Sequence, residues 1–253
     1  MTPWYEESFG CDYLMLYTQR DISEARANVQ SSLELLSLQR NTPVLDLCCG
    51  AGRHLLALRE LGFERLVGLD LSNELLQVAA NRLAGEDDPS HHHIPLIRAD
   101  MRAIPCENHF AAVVSFFTSF GYFEADAENQ AVLASVHNAL RPGGVFLMDY
   151  INREHVISHL VPSDERTLPN GCVQNVRYLT ADCRRVEKMT TVITGTNERQ
   201  FHESVRLYSQ AEMLERFQAA GFVDVRSYGS LDGQGFGPES KRLILAGKKS
   251  ARE

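Results

Sequence analysis

The segment VLDLCCGAGRH, residues 44–54, sets an acid, two adjacent cysteines and two glycines between an apolar run and a helical pattern. Three chemistries suit such a segment: thiol or metal chemistry, a phosphate cradle, or a nucleoside site. Adjacent cysteines cannot easily chelate one metal. The six cysteines, at 11, 48, 49, 106, 172 and 183, form no CxxC pair and no repeated spacing. Cys48 and Cys49 therefore read as small residues in a crowded turn. A dinucleotide loop needs a third small residue, and the positions concerned hold Leu55 or, in a shifted register, Arg53. No GKS or GKT follows, which excludes a kinase-type P-loop. Gly50 and Gly52 let the backbone approach a ligand closely. Asp70 ends the next apolar run, 18 residues after Gly52. A carboxylate only accepts hydrogen bonds, so it suits a pair of ribose hydroxyls. Loop and acid together point to a nucleoside cofactor.

Such a loop must leave a strand at the ligand-binding edge of a sheet. Residues 43–47 form a short buried strand, and 52–61 carry apolar positions at helical spacing. Further strands are expected at 65–70, 94–99, 110–116 and 145–150, with helices at 73–83 and 127–140. Ser72 is a plausible N-cap for the first of these helices, with Glu74 in its first turn. Arg141-Pro142-Gly143-Gly144 stops the second helix before strand five. Strands apolar on both faces, alternating with helices, indicate an α/β fold with a parallel sheet covered on both sides. After Asn152 the rhythm breaks. Segments 173–180, 185–194 and 199–208 predict a two- or three-stranded antiparallel insertion, with a turn at Gly195-Thr196-Asn197. Ser209 caps a helix over 210–220, and strands follow at 222–228 and 242–246. The first 40 residues read as one or two helices, 21–38 being the clearer.

The segment Asp46-Leu47-Cys48-Cys49-Gly50-Ala51-Gly52 resembles motif I of the class I S-adenosylmethionine-dependent methyltransferases. Cys48 stands where that family more often has Gly or Ala. Gly68-Leu69-Asp70-Leu71-Ser72 resembles the family's ribose-binding strand end. Ala99-Asp100-Met101-Arg102 resembles the site of the adenine amino group, with Met101 beside the ring. Residues 110–116 resemble motif IV, and Leu140-Arg141-Pro142-Gly143-Gly144 resembles the turn before strand five. The resemblance covers about residues 40–150. It implies a Rossmann-like, doubly wound, mostly parallel seven-stranded sheet with helices on both faces and a small antiparallel insertion after strand five. It also implies one domain: a helical cap over 1–40, a cofactor-binding core over 41–152, an insertion or lid over 153–208, and a C-terminal helix and strands over 209–253. The implied cofactor is S-adenosylmethionine, with S-adenosylhomocysteine as product. Its implied contacts are Asp46, Gly50, Gly52, Asp70, Leu71, Asp100, Met101, Ser115 and Phe116.

The loop after strand four, SFFTSFGYF, lacks an NPPY-like tetrapeptide. The loop, the insertion and the C-terminal segment are similar to bacterial small-molecule methyltransferases, the aminosugar N-methyltransferases among them. There an N-terminal segment with tyrosines closes over the cofactor. Tyr5, Phe9, Tyr13 and Tyr17 match that pattern in kind, Tyr13 being the first choice for a contact and Arg20 a partner for the methionine carboxylate. Single aromatics of an amphipathic helix would look the same. Candidate bases or positioners are Tyr122, Tyr150, His155 and His159. The i, i+4 histidines also fit a solvated helix face, and a metal pair lacks a third ligand. Cys106, in Ile104-Pro105-Cys106, reads as structural, and His91-His92-His93 as part of an exposed polar loop. Arg206 and Tyr208 suit either the acceptor or a cross-strand surface pair.

The composition, 44% hydrophobic and 23% charged over 253 residues, is that of an ordinary globular protein. No apolar run is long enough to span a membrane, and MTPWYEESFGCDY does not read as a secretion signal. Formal charge is −8 without a Lys/Arg cluster, which disfavours nucleic acid. The expectation is a cytoplasmic monomer or homodimer that methylates a small molecule, most simply at nitrogen. The alternatives are O-methylation of a small hydroxylated metabolite, or S-adenosylmethionine binding without turnover.

Overall fold

The computed structural model describes residues 3–10, 14, 16, 21–36, 38–84 and 93–251. Tyr13, Tyr17, Arg20, Cys11, His91 and His92 lie outside the described residues.

Short apolar runs become strands β1 (Val44–Leu47), β2 (Leu66–Asp70), β3 (Leu96–Arg98), β4 (Phe110–Ser115) and β5 (Leu140–Ile151). With β10 (Val223–Tyr228) and β11 (Arg242–Lys248) they form one seven-stranded sheet in the order β10-β11-β5-β4-β1-β2-β3. Only β11 runs against its neighbours β5 and β10. Buried strands send alternate residues to opposite faces. Val113 accordingly joins Phe146 and Phe217 in one core, while Ala112 and Val114 pack with Leu55 and Leu58 in the other. Helices α2 (Ile22–Leu36), α3 (Arg53–Glu60) and α4 (Asn73–Ala84) bring apolar side chains to that second core. Helices α5 (Asp126–Ala139) and α7 (Gln210–Ala219) cover the first. Ser72 caps α4 through Leu75 N–H at 3.2 Å, and Ser209 with Glu212 makes a reciprocal box at the start of α7. The chain order reverses between β1 and β4, so a crevice opens beyond their carboxyl ends.

Two differences from the sequence reading have local causes. Extended pairing starts at Leu140 rather than Val145. Phe110 pairs with Leu140 and Ala112 with Val145, so the Arg-Pro-Gly-Gly residues are taken up as a bulge. The insertion has four strands, β6 (Ser163–Leu168), β7 (Gly171–Leu179), β8 (Arg185–Thr194) and β9 (Asn197–Arg206), in that order and antiparallel. The additional strand, SDERTL, is a polar edge strand without alternation, which hides it from a hydrophobic pattern. Helix α6 (Arg153–His159) links β5 to this sheet. Helix α1 (Trp4–Ser8) is tied to β9 by Ser8 Oγ, which donates to the His202 carbonyl at 2.8 Å.

Candidate active site

The turn after β1 is drawn to the end of β2 by a carboxylate. Asp70 accepts from Gly50 N–H through Oδ2 and from Ser72 N–H through Oδ1, both at 2.8 Å. Burial raises its carboxyl, and these two bonds counter the rise. The turn needs left-handed backbone at Cys48, Gly50 and Gly52, with φ of +59°, +51° and +75°. At Cys48 a side chain accepts that conformation at a cost of about 1–3 kcal/mol, which explains why glycine suits the position. Gly52 has a second constraint: a Cβ there would lie 3.0 Å from the Cβ of Ala79 on α4. Gly52 does not line the crevice; it shapes the turn and lets α3 approach α4. Cys49 is buried, and burial pushes both thiols well above their usual range. A thiol held protonated is a poor nucleophile.

The crevice is a cleft of about 870 Å³ whose walls include Gly50, Asp70, Leu71, Asp100, Met101 and Phe116. Asp100 is engaged on one side. Arg102 donates to it from Nη2 at 2.6 Å and from its backbone N–H at 2.8 Å, and reaches Glu128 with Nη1 at 2.5 Å. Burial alone would raise the Asp100 carboxyl; these bonds hold it below the usual range. The same guanidinium lies 4.2 Å over the Phe123 ring. Ser115 is buried in β4 and does not line the cleft. Nor does Asp46, which is 2% exposed and whose Oδ2 has no hydrogen-bond partner. Burial and the nearby Asp70 charge push its carboxyl up to about 8. An orphaned acceptor on the strand that leads into the turn fits a cofactor carrying a cationic amino group. Two acids flanking the cleft, Asp70 and Asp100, fit one that carries hydroxyls and an exocyclic amine. S-adenosylmethionine has all three.

Helix α1 adds a roof. Tyr5 packs on Phe123 with centroids 5.3 Å apart, Trp4 on Tyr122 at 5.1 Å, and Phe9 stacks on Tyr122 at 5.4 Å. Tyr5 and Phe9 both line the cleft.

A second cavity, of about 650 Å³, opens on the far side of Phe9, Phe117 and Tyr122, which line both spaces. Its other walls come from α6, β11 and the insertion. His155 and His159 lie there with rings stacked 4.3 Å apart. Charged walls come as ion pairs, Lys188 with Glu203 at 3.0 Å and Arg177 with Asp164. The paired charges, together with Phe117, Thr118 and Arg242, were not singled out from sequence. Their pairing is cross-strand or long-range, and no local pattern announces it.

Four other candidates fall outside both cavities. Tyr150 is fully buried, donates its hydroxyl to the Arg206 carbonyl and accepts from Tyr208 N–H at 3.3 Å. It is a strut between β5 and the end of the insertion, not a base beside an acceptor. Arg206 is 4% exposed and pairs with Glu212 at 3.1 Å, and Tyr208 donates to Asp126 at 2.5 Å. Cys106 lines neither cavity, and burial raises its thiol.

A family model described as a methyltransferase domain matches residues 44–144. The dTDP-3-amino-3,4,6-trideoxy-alpha-D-glucopyranose N,N-dimethyltransferase of Streptomyces venezuelae is 33% identical over 187 residues, 70% of this chain and 74% of that one. A second aminosugar enzyme, the dTDP-3-amino-3,6-dideoxy-alpha-D-glucopyranose N,N-dimethyltransferase of Streptomyces fradiae, is 32% identical but matches less than half of either chain, 44% and 42%. Among solved structures, DesVI of Streptomyces venezuelae superposes with a TM-score of 0.66 at 25% identity, covering 94% of this chain and 96% of that one. An S-adenosylmethionine-dependent methyltransferase of Clostridium acetobutylicum shares the fold, with a TM-score of 0.77 at 16% identity over 94% and 95%. With motif, topology and a relative matched over most of its length in agreement, the chain belongs to the class I S-adenosylmethionine-dependent methyltransferases.

Proposed function

We propose that this methyltransferase acts on the amino nitrogen of a small polar acceptor, with nucleotide-linked aminosugars as the leading class. The observation that carries the reading is the second cavity, which meets the cofactor cleft at Phe9, Phe117 and Tyr122 and is walled by paired charges rather than by apolar side chains alone. The named substrates of the two Streptomyces relatives support the acceptor class.

S-adenosylmethionine supplies an electrophilic methyl group on a sulfonium, itself a good leaving group. The chain's own task is alignment and exclusion of water. Gly50, Asp70, Leu71, Asp100, Met101 and Phe116 would hold the nucleoside end, and Asp46, a buried acid behind the turn, would favour the methionine amino group once ionised. Phe9, Phe117 and Tyr122 close the boundary where donor and acceptor meet. An amine brings its own lone pair, so His155 and Tyr122 act by positioning and His155 takes the proton released afterwards. One chain lines both cavities, so a monomer suffices. The five free cysteines among the described residues suit a reducing compartment such as the cytoplasm.

The test is incubation of purified protein with S-adenosylmethionine and dTDP-3-amino-3,4,6-trideoxy-glucose, followed by mass spectrometry. Gain of one and then two methyl groups on the sugar nitrogen is the expected result. Transfer only to hydroxylated acceptors, or none to a panel of amines, overturns the reading.

A further inference from the structure

Phe117 and Thr118 follow β4 with φ of +61° and +62°. The other non-glycine residues of positive φ among those described, Cys48, Asn108, Cys183 and Asp224, are all isolated, so this adjacent pair stands apart. For a β-branched threonine that conformation is a true outlier, and it persists only where the surroundings impose it. What imposes it here is identifiable. Asp149 on β5 accepts from Phe117 N–H through Oδ2 at 3.1 Å, and its carbonyl accepts from Thr118 N–H at 2.9 Å. Arg242 on β11 donates from Nε to Asp149 Oδ1 at 2.6 Å and from Nη2 to Thr118 Oγ1 at 2.7 Å. Three elements are thereby closed into one ring. Its carboxylate is buried, with a side chain 6% exposed, while the guanidinium, 31% exposed, reaches the second cavity. The ring ends at Phe117, which lines both cavities.

We infer that the Asp149–Arg242 pair is a positioning device for methyl transfer: it holds the strained 117–118 junction so that Phe117 fixes the boundary between methyl donor and acceptor. The inference rests on reading the 650 Å³ cavity as the acceptor site. Asp149 lines neither cavity, and Arg242 borders only the second. Both act through Phe117, so their loss lowers the rate of transfer and leaves cofactor affinity intact. A pair that merely braces the fold would lower the melting temperature and spare turnover.

The experiment uses full-length wild type, Asp149→Asn, Arg242→Lys, Arg242→Gln and the double variant Arg242→Gln/Thr118→Gly. Crystal structures read the junction, titration calorimetry reads S-adenosylhomocysteine affinity, and steady-state kinetics on an amine that wild type methylates separate kcat from KM. In Arg242→Gln, φ at 117–118 should leave the left-handed region while S-adenosylhomocysteine affinity is retained. Its kcat should fall about ten- to hundredfold, the loss expected for misplacement on the order of an ångström, and Asp149→Asn, at a residue that lines neither cavity, should lose kcat with acceptor KM little changed. Thr118→Gly should restore part of that rate, because glycine adopts positive φ without a clamp. Should Asp149→Asn not fold, the Arg242 variants carry the same comparison. A junction that stays left-handed in Arg242→Gln, or a kcat that does not fall, overturns the inference. If wild type methylates no amine, the acceptor reading fails by itself, and the crystal structures still decide whether the pair holds the junction.

Discussion

Gly50 N–H and Asp70 Oδ2 stand 2.8 Å apart, which makes one carboxylate both the anchor of the β1 turn and a wall of the 870 Å³ cleft. The second oxygen accepts from Ser72 N–H, so each still has a lone pair for a ribose hydroxyl. Replacing Asp70 with Asn turns one acceptor into a donor facing a backbone N–H, and a buried unsatisfied group costs about 1–3 kcal/mol. Asp70→Asn should therefore lower stability and weaken S-adenosylhomocysteine binding together. Asp70→Ala should abolish binding in the same calorimetric titration. Full affinity in Asp70→Ala would mean the ribose lies elsewhere.

Asp46 makes a pH-dependent prediction. Its folded carboxyl sits near 8 against an ordinary 3.8, because burial and the Asp70 charge disfavour ionisation. Between those two values the folded state keeps a proton that the unfolded state has lost. Stability from this group therefore falls as pH rises through that window and levels off above it. Asp46→Asn removes the titration, so its advantage over wild type in urea melts should grow from pH 5 to pH 8, by at most about 1.4 kcal/mol per pH unit. Parallel stability profiles for the two proteins would show that Asp46 is ionised throughout.

Much of the cleft's lining could be read from the chain because the residues involved are consecutive, though Asp46, Gly52 and Ser115 stand behind it. Asp46 to Gly52, Gly68 to Ser72 and Ala99 to Arg102 each lie at the end of one strand, and a parallel sheet brings strand ends together whatever the details of packing. The second cavity was illegible for the opposite reason. Lys188 meets Glu203 across β8 and β9, and Arg242 meets Asp149 across β11 and β5, registers that only the folded sheet defines. Strand β6 escaped because a polar edge strand carries no alternating pattern. Tyr150 shows how a strand end can mislead. It follows Asp149 at the rim of the sheet, yet its ring points into the core beside Phe120 and Tyr208.

That placement of Tyr150 has a measurable consequence. Burial raises its phenol above the usual range, and its hydroxyl serves the Arg206 carbonyl and Tyr208 N–H. Tyr150→Phe should leave both backbone groups unsatisfied and destabilise the fold by about 1–3 kcal/mol in denaturant melts. Turnover measured well below the melting temperature should change little. A large loss of kcat in a fully folded Tyr150→Phe protein would return this residue to the reaction.

The histidines of α6 separate nitrogen from oxygen as the methylated atom. His155 Nδ1 is buried without a hydrogen-bond partner, whereas His159 Nδ1 lies 2.9 Å from Ser158 Oγ and 3.2 Å from the His155 carbonyl. His155 Nδ1 is thus an uncommitted nitrogen on a helix that borders the 650 Å³ cavity. A neutral amine attacks with its own lone pair and sheds its proton later, so it asks little of a base. A hydroxyl must begin to lose its proton as it attacks, and a positioned base then contributes about 10²–10⁴-fold. On an amine acceptor, His155→Ala should lower kcat by less than about tenfold, and His159→Ala by less still. A loss of several hundredfold in His155→Ala on that amine would mean that a base takes the proton during transfer, and the same loss on a hydroxylated acceptor, with His159→Ala near wild type, would mark oxygen as the methylated atom. The stacked pair makes the comparison sharp, because either variant removes the same ring contact and only His155→Ala removes the unpartnered Nδ1.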